Sequence, residues 1–498
     1  MGIIKKQAIY NSIYQYIGII IGYVNIVILF PLFLDTDQFG LTRVLIAISA
    51  LYVQFSALGI NQINIKFFPF FKNHENKNHG FFFLGLIITL IGFTILTTLY
   101  LLLDDSILNQ YQEQSDLFLN NYYIVIPLSL FLLYFGYCES YLQGLYKTVL
   151  SSFIKNVLTR VIWAVDLFLY HWKIITFDHF LIIFIGVYAL GLIILLIYLI
   201  GIKEISLKPD KKYLRPRILK LISNYGLFSV LSGISNITVN HIDKIMITFI
   251  LGLSDTGIYA LAAYVSSIIF VPTQAISRIS FPVISYDWKH KRLKNIALLY
   301  KRTAILQLIL GGFIFILIWA NIDNIFRILP PEYAAGKWVI LYIGLARLFE
   351  MATGTNGMII MASKYYRFNT TSSLILIVLS ITTNLILIPI YGIDGAAMAT
   401  AFSIFTVKFI RFLFVYIKLN MQPYSFKTVA AIFVIIVSIL PVYIIPSFES
   451  LVLDIFVKTT IIVIIFIPLS YFLKISEDLN DYLDKFFRKL NKIISFQK

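Results

Sequence analysis

Polar residues recur at helical spacing inside two long apolar stretches of the chain. Near the N-terminus, polar and glycine positions follow one another every three or four residues, which places them on one face of a helix. They are Asn11, Gln15, Gly18, Gly22 and Asn25. A later stretch repeats the arrangement with Ser229, Ser232, Asn236, Asn240 and Asp243. Lipid cannot satisfy these groups, so we expect both faces to meet a hydrated path or another helix.

The apolar stretch that follows each of these also carries polar side chains. The first contains Gln54, Asn61 and Asn64, and the second contains Tyr264, Ser267, Gln274 and Arg278. Asn61 and Arg278 are 217 residues apart, an offset that recurs elsewhere in the chain. Four polar faces at related positions favour a shared, water-filled cavity that binds a substrate. The alternative is that they only join helices through hydrogen bonds.

Arginine within apolar stretches points to an anionic ligand. A guanidinium stays charged at any working pH and binds phosphate through two parallel hydrogen bonds, so it suits a pyrophosphate group. Arg278 has no acidic residue within a turn of its own helix, and neither has Arg160. Each could instead meet Glu139, Asp166 or a bound anion. Lys66 could receive the anion first, or extend its ammonium group to the membrane surface.

Acidic residues in the apolar stretches are candidates for coupling to H⁺ or Na⁺. Asp243, beside Lys244, could form an inert pair or bind a cation, and Glu139 is the second candidate. Two other sets of opposite charges lie at helical spacing, so we expect them to be structural ion pairs. They are Arg347 with Glu350, and Asp454 with Lys458.

The composition requires membrane helices to position these residues. Hydrophobic residues make up 59% of the 498 and charged residues only 13%, and the mean hydropathy is +0.85. About fourteen apolar runs are long enough to cross a bilayer. This even number puts both termini on one side. Most of the 41 Lys and Arg residues fall in loops on that side, so we expect both termini to be cytoplasmic in a multi-pass protein of the bacterial inner (plasma) membrane.

The chain repeats itself, and the repeat divides it into lobes. Acidic turns ending in glycine occur at Asp37 to Gly40 and at Asp255 to Gly257. The repeat predicts an all-α membrane protein with about 14 transmembrane helices, in two pseudo-symmetric six-helix lobes plus two C-terminal helices. The expected parts are an N-terminal lobe at 1–202, a basic cytoplasmic linker at 203–222, a C-terminal lobe at 223–417, helices 13 and 14 at 428–473, and a basic cytoplasmic tail at 474–498.

The segment NLILIPIYGIDGAAMATAFS, which begins at Asn384, predicts a tight helical hairpin. Pro389 ends an apolar helix because it lacks an amide hydrogen, and Gly392 and Gly395 give the backbone freedom that a reversal needs. The repeat offset carries Gly395 onto Asp178, so a second turn is expected there.

Motifs for several other functions are missing from the sequence. No Gly-rich phosphate loop is present, the six histidines have no metal-ligand spacing, and Cys138 is the one cysteine. The basic loops are too short to indicate nucleic-acid binding. The longest predicted outer loop, Asp104 to Asn120, contains neither arginine nor histidine, which argues against a glycan polymerase or ligase. We therefore expect no enzyme, cofactor or metal.

These features together resemble a known family. The predicted spans, the six-plus-six repeat, the acidic glycine turns and above all IPIYGIDGAAMATAFS are similar to the polysaccharide and O-antigen flippases (Wzx-type) of the multidrug/oligosaccharidyl-lipid/polysaccharide (MOP) exporter superfamily. The resemblance implies a MATE-like fold that moves an undecaprenyl-pyrophosphate-linked oligosaccharide across the inner membrane for surface polysaccharide or lipopolysaccharide synthesis. An ion gradient would drive it, and other polysaccharide assembly proteins are expected partners.

The residues expected to bind substrate are those of the polar faces and the basic positions. They are Arg278, Gln274, Asn61, Asn64, Gln54, Asn25, Asn240, Arg160 and Lys66. Two relatives of the same superfamily remain alternatives, a multidrug and toxin extruder and a lipid II flippase. A drug extruder usually has an acidic cavity, whereas the deep charge at Arg278 is basic. A membrane-embedded polymerase or ligase is a further alternative.

Overall fold

The computed structural model describes residues 2–73, 75, 77–104, 115–206, 208 and 216–496. Within these ranges every regular element is a helix and no strand occurs, which confirms the all-α class. Residues 207 and 209–215 of the predicted linker, residues 105–114 of the predicted outer loop and His74 lie outside the described residues. Contacts between residues divide the chain into two compact units, residues 1–261 and 262–498.

The first unit is built from long apolar helices joined by short turns. They are α1 (Gly2–Tyr23), α2 (Thr36–Ser56), α3 (Ile60–Phe71), α4 (Phe81–Leu102), α5 (Val125–Gly144), α6 (Thr159–His171), α7 (Phe177–Gly201), α8 (Pro216–Ile250) and α9 (Leu253–Ser267), the last of which continues into the second unit. Shorter helical segments are Val24–Leu29, Phe30–Phe33, Lys77–Gly80, Asp116–Asn120, Tyr122–Ile124, Val149–Phe153 and Ile154–Leu158. Val24–Leu29 and Ile154–Leu158 are π-helical.

Aromatic side chains form much of the core of the first unit. Tyr137, Cys138 and Tyr141 of α5 are buried against Phe68 and Phe82. Cys138 is a buried free thiol, as expected for a small core residue. The helix α8 packs mainly on α2 and therefore belongs to the first unit. As a result, the boundary between the two units comes after residue 261 and not at the predicted linker. The predicted lobe boundaries describe the sequence repeat and stay a prediction.

The second unit continues the helical pattern. Its helices are α10 (Val271–Lys289), α11 (Leu293–Ala320), α12 (Lys337–Ala352), α13 (Asn356–Ala362), α14 (Tyr366–Leu419), α15 (Phe426–Ile439), α16 (Leu451–Phe472) and α17 (Glu477–Phe496). Shorter segments are Ile268–Phe270, Ile322–Ile328, Pro331–Gly336 and Leu440–Tyr443. Here α12 packs on α14, and α11 packs on α12 and α15.

The predicted hairpin near Gly395 is confirmed, but Pro389 lies inside the first arm of α14 and does not end it. Gly392 breaks α14 with φ 59° and ψ −139°, a conformation that favours glycine. The two arms then run antiparallel, because Thr383 Oγ1 lies 3.5 Å from Ser403 Oγ. A Cβ on Gly395 would come 2.1 Å from the Leu387 carbonyl oxygen, so only glycine permits this approach.

In the part of the chain that the structure describes, ten helices are long and apolar enough to cross a membrane, which confirms a multi-pass membrane protein. Tyr366–Leu419 counts once among them although it contains both arms of the hairpin. Three further predicted spans are helical but are too short or too polar to be counted among these ten. They lie around residues 149–171, 216–250 and 337–362. The number of about fourteen stays a prediction.

The two acidic glycine turns of the repeat contact one another. A Cβ on Gly40 would lie 2.0 Å from the Leu253 carbonyl oxygen, and one on Gly257 would lie 2.4 Å from that of Thr36. Ser254 Oγ also donates to Thr36 Oγ1 at 2.7 Å. Glycine at both positions therefore lets the starts of α2 and α9 meet backbone to backbone.

Candidate functional site

The polar face of α1 packs on the helices that precede and form α6. Asn11 Nδ2 donates to Thr148 Oγ1 at 2.7 Å, and Asn25 Nδ2 donates to the Arg160 carbonyl oxygen at 2.7 Å. Gly22 makes room for the Arg160 guanidinium, since a Cβ there would lie 2.4 Å from Nη1. Asn25 is buried. At these residues the face joins helices, which was the alternative interpretation of the sequence pattern.

The polar residues of α2 and α3 have two different surroundings. Gln54 Nε2 donates to the Val230 carbonyl oxygen on α8 at 3.1 Å. Asn64 is fully buried, and its Nδ2 donates to Ser140 Oγ on α5 at 2.7 Å. Asn61 faces Gly136 of α5, and its buried Oδ1 has no hydrogen-bond partner among the described residues.

Two candidate substrate-binding residues of the first unit, Lys66 and Asn240, are exposed on its surface. Lys66 Nζ lies 3.8 Å from the centroid of the Tyr225 ring, a cation–π contact. Asn240 is exposed, and its carbonyl oxygen accepts from Lys244 Nζ at 2.9 Å. The side chains of Ser232 and Asn236 lie outside the described residues.

Asp243 belongs to a buried charged group. Tyr259 OH donates to Asp243 Oδ2 at 2.6 Å, and Asp243 and Arg43 both act electrostatically on Lys244. Arg43 is itself nearly buried, with its guanidinium carbon 4.7 Å from the centroid of the Phe30 ring. Arg43 was not among the residues predicted from the sequence to be functional. Its position inside an apolar run was the signal that could have identified it.

Glu139 forms a salt bridge that the sequence did not predict. Its Oε2 lies 3.0 Å from Lys155 Nζ, so Lys155 rather than Arg160 is its partner. Asp166, on the buried face of α6, is 1% exposed, and neither of its carboxyl oxygens has a hydrogen-bond partner among the described residues.

In the second unit, Gln274 and Arg278 are both exposed on α10. They are separated by four residues and therefore lie on one face of that helix. The equivalence of Arg278 and Asn61 in the repeat, and a cavity shared by the four polar faces, stay predictions.

The predicted Arg347–Glu350 ion pair is confirmed and is part of a larger group. Arg347 Nη1 lies 2.8 Å from Glu350 Oε2, and Lys408 Nζ lies 2.7 Å from Glu350 Oε1. Arg411 lies one turn beyond Lys408. Neither Lys408 nor Arg411 was predicted from the sequence, although two basic residues three positions apart inside the apolar run at 395–417 were a signal.

The second predicted pair, Asp454 with Lys458, is also confirmed. Lys458 Nζ lies 2.6 Å from Asp454 Oδ2. The Phe448 amide donates to Asp454 Oδ1 at 3.0 Å, and Asn324 donates to its Oδ2. Asp454 thus links α16 to Phe448 in the segment before it and to Asn324. Among the described residues, no group of His, Cys, Asp and Glu is suited to hold a metal ion.

Comparison with solved structures defines the class of protein. The fold is similar to that of the lipid II flippase MurJ, with a TM-score of 0.71 and 13% identity, over 94% of this chain and 98% of that one. It is also similar to a multidrug resistance MATE family transporter of the MOP superfamily in an inward-facing conformation, with a TM-score of 0.60 and 12% identity, over 82% of this chain and 94% of that one. The chain is thus a membrane protein with the MOP transporter fold.

Sequence comparison gives the family. A family model described as "Polysaccharide biosynthesis protein" matches residues 4–287, more than half of the chain, and the chain belongs to that family. This confirms the resemblance to the polysaccharide flippases of the MOP superfamily.

Two curated relatives also match. The chain is 27% identical to the probable low-salt glycan biosynthesis flippase Agl15 of Haloferax volcanii, over 47% of this chain, and it spans only 50% of the length of that relative. It is 23% identical to the uncharacterized membrane protein MJ1068 of Methanocaldococcus jannaschii, over 84% of this chain and 85% of that one.

Proposed function

We propose that this protein is a flippase that moves a lipid-pyrophosphate-linked oligosaccharide from the cytoplasmic to the outer leaflet. The observation that carries the proposal is family membership over residues 4–287 in a chain with the MOP fold. Agl15, named as a probable glycan biosynthesis flippase, supports it. The lipid carrier is undecaprenyl and the membrane is the bacterial inner membrane, as the sequence resemblance implies. The glycan serves surface polysaccharide synthesis.

The substrate-contacting role falls first to the exposed polar residues. Arg278 and Gln274 on one face of α10 offer a guanidinium and an amide to a pyrophosphate, and Lys66 and Asn240 are exposed on the first unit. Asn25, Asn64, Gln54 and Arg160 contact neighbouring helices. We assign to those four residues a structural role in helix packing, and to Asn61 a place on the substrate path.

Transport is coupled to H⁺ or Na⁺ in this proposal. Asp243 is the stronger candidate for the cation site because it is buried beside Tyr259, and a carboxylate inside the membrane favours a bound cation. Glu139 is the second candidate, with Lys155 as the competing cation.

The proposal is tested in the source organism by replacing Arg278 with Ala. We expect less surface glycan and an accumulation of lipid-linked units on the cytoplasmic face, with Arg278→Lys retaining more export than Arg278→Ala. Arg292→Ala, at an exposed position beyond the same helix, is the control. Normal glycan in Arg278→Ala would remove Arg278 from the substrate path.

Deletion of the gene separates this function from its alternatives. A flippase leaves lipid-linked units on the cytoplasmic face, whereas loss of a polymerase or ligase leaves them on the outer face. A lipid II flippase would instead cause peptidoglycan precursors to accumulate. A multidrug extruder would change drug resistance and leave the surface glycan intact.

A further inference from the structure

The second unit contains a cavity of about 210 Å³ whose walls include charged and polar side chains. It lies among α10, α12, α13 and both arms of α14. Its lining includes Thr273, Glu350, Asn356, Gly357, Lys408 and Arg411, and we call this space the Arg411 cavity. A water needs only about 10–15 Å³ of such space, so the cavity can hold a group much larger than one water.

Positive charge exceeds negative charge around this cavity. The two oxygens of Glu350 are each used by one cation, Arg347 on Oε2 and Lys408 on Oε1. Arg411 adds a third cation. Among the described residues, Glu350 is the one carboxylate that acts electrostatically on Lys408 and Arg411. Three cations share one carboxylate in a membrane helix bundle, where an uncompensated charge is costly.

Neutral groups hold the Arg411 guanidinium in place. Its Nε donates to Ser372 Oγ at 2.8 Å, and its Nη2 donates to Ser373 Oγ at 2.9 Å and to the Asn369 carbonyl oxygen at 3.4 Å. These bonds fix its orientation without neutralising it. A Cβ on Gly357 would lie 3.3 Å from Nη1, so the glycine keeps that side of the guanidinium open.

Two buried polar atoms on the cavity wall have no hydrogen-bond partner among the described residues. They are Thr273 Oγ1 and Asn356 Oδ1, and their side chains are 8% and 0% exposed respectively. A buried polar group without a partner costs free energy. A threonine hydroxyl can donate to an anion, and an amide oxygen can accept from a ligand hydroxyl.

We propose that the Arg411 cavity binds an oxyanion, with Arg411 and Lys408 as its charged ligands and Thr273 as a hydroxyl donor. An oxyanion supplies the missing negative charge and matches the geometry of a guanidinium. In the proposed function this chemistry has two sources, the pyrophosphate of the lipid carrier or a carboxylate on an acidic sugar. The anion site is inferred from the cavity itself, and only the identity of the anion rests on the proposed function.

The test is calorimetric titration of the purified full-length protein in detergent with inorganic pyrophosphate, with glucuronate and with glucose. We expect the wild type to bind one of the two anions and not glucose. Charge-assisted hydrogen bonds predict about 10–100-fold weaker binding in Arg411→Gln, and a smaller loss in Arg411→Lys, which keeps the charge. Arg302→Gln, at an exposed arginine paired with Glu477, should bind as the wild type does.

The outcomes distinguish the pyrophosphate of the carrier from an acidic sugar as the bound anion. They also distinguish failure of the anion site from failure of the proposed flippase function. Tighter pyrophosphate binding identifies the carrier headgroup, and tighter glucuronate binding identifies the glycan. Should Arg411→Gln fail to fold, as seen by size-exclusion chromatography, Thr273→Val carries the test with about 2–10-fold weaker binding. Wild-type protein that binds neither anion, or equal affinity in the wild type and the cavity variants, would overturn the site. Because binding is measured without transport, a lost flippase activity with intact anion binding counts only against the proposed function.

Discussion

Individual buried polar residues in this chain differ in whether the fold satisfies them. Asp454 has three partners around its carboxylate, and Asn64 donates to Ser140 Oγ although its own Oδ1 has no hydrogen-bond partner among the described residues. Asp166 is as buried as either, yet neither of its oxygens has a hydrogen-bond partner among the described residues. A buried carboxylate without a partner costs stability, and an ionisable residue inside the membrane is a candidate functional residue.

Replacing Asp166 should therefore stabilise the first unit. Asp166→Leu removes two unsatisfied oxygens and keeps the number and branching of the side-chain non-hydrogen atoms, so we expect a gain of about 1–3 kcal/mol, seen as a higher Tm in detergent. Asp166→Asn should gain less, because it stays polar. Glu332→Gln, at an exposed position, should stay within about 0.5 kcal/mol of the wild type. A lower Tm in Asp166→Leu would show that the carboxylate has a stabilising partner.

At the scale of helices, glycine at specific positions sets how closely elements approach. The starts of α2 and α9 meet at Gly40 and Gly257, and the arms of α14 meet at Gly395. The sequence predicted the α14 hairpin because proline and glycine report local backbone geometry. It paired Gly40 with Gly257 by the repeat but did not reveal that they touch, since contact depends on how the helices pack.

The contact at Gly40 predicts a large difference between two glycine-to-alanine variants. In Gly40→Ala the new Cβ would lie 2.0 Å from a backbone oxygen, so the helices must separate, and we expect a loss of about 1–3 kcal/mol. Gly186→Ala is the matched control, because a Cβ there has nothing within 4 Å. It should be neutral or gain up to about 1 kcal/mol from helix propensity. Equal Tm values for the two variants would contradict the close approach.

At the scale of the whole molecule, hydropathy predicted the class and most helix positions, because bilayer thickness fixes helix length. Sequence alone did not predict the Arg411 cavity. Its residues come from four helices, and spacing relates only residues on one helix, which is why the Arg347–Glu350 pair was predicted and its bond to Lys408 was not. For the same reason the polar face of α1 could not be assigned in advance to a neighbouring helix.

The number and direction of the spans can be measured by labelling single-cysteine variants of whole cells. Cys138 is 1% exposed, so the native thiol should add little background to an impermeant maleimide. With about fourteen spans and basic loops inside, Tyr391→Cys at the hairpin tip and Glu332→Cys should be labelled in intact cells. Lys291→Cys, Lys364→Cys and Lys474→Cys should be labelled only after permeabilisation. All five positions are exposed on the protein surface, so a cysteine that is not labelled in intact cells is shielded from the maleimide by the membrane and not by the protein. Labelling of Tyr391→Cys and Lys364→Cys from the same side would show that the first arm of α14 does not cross the bilayer.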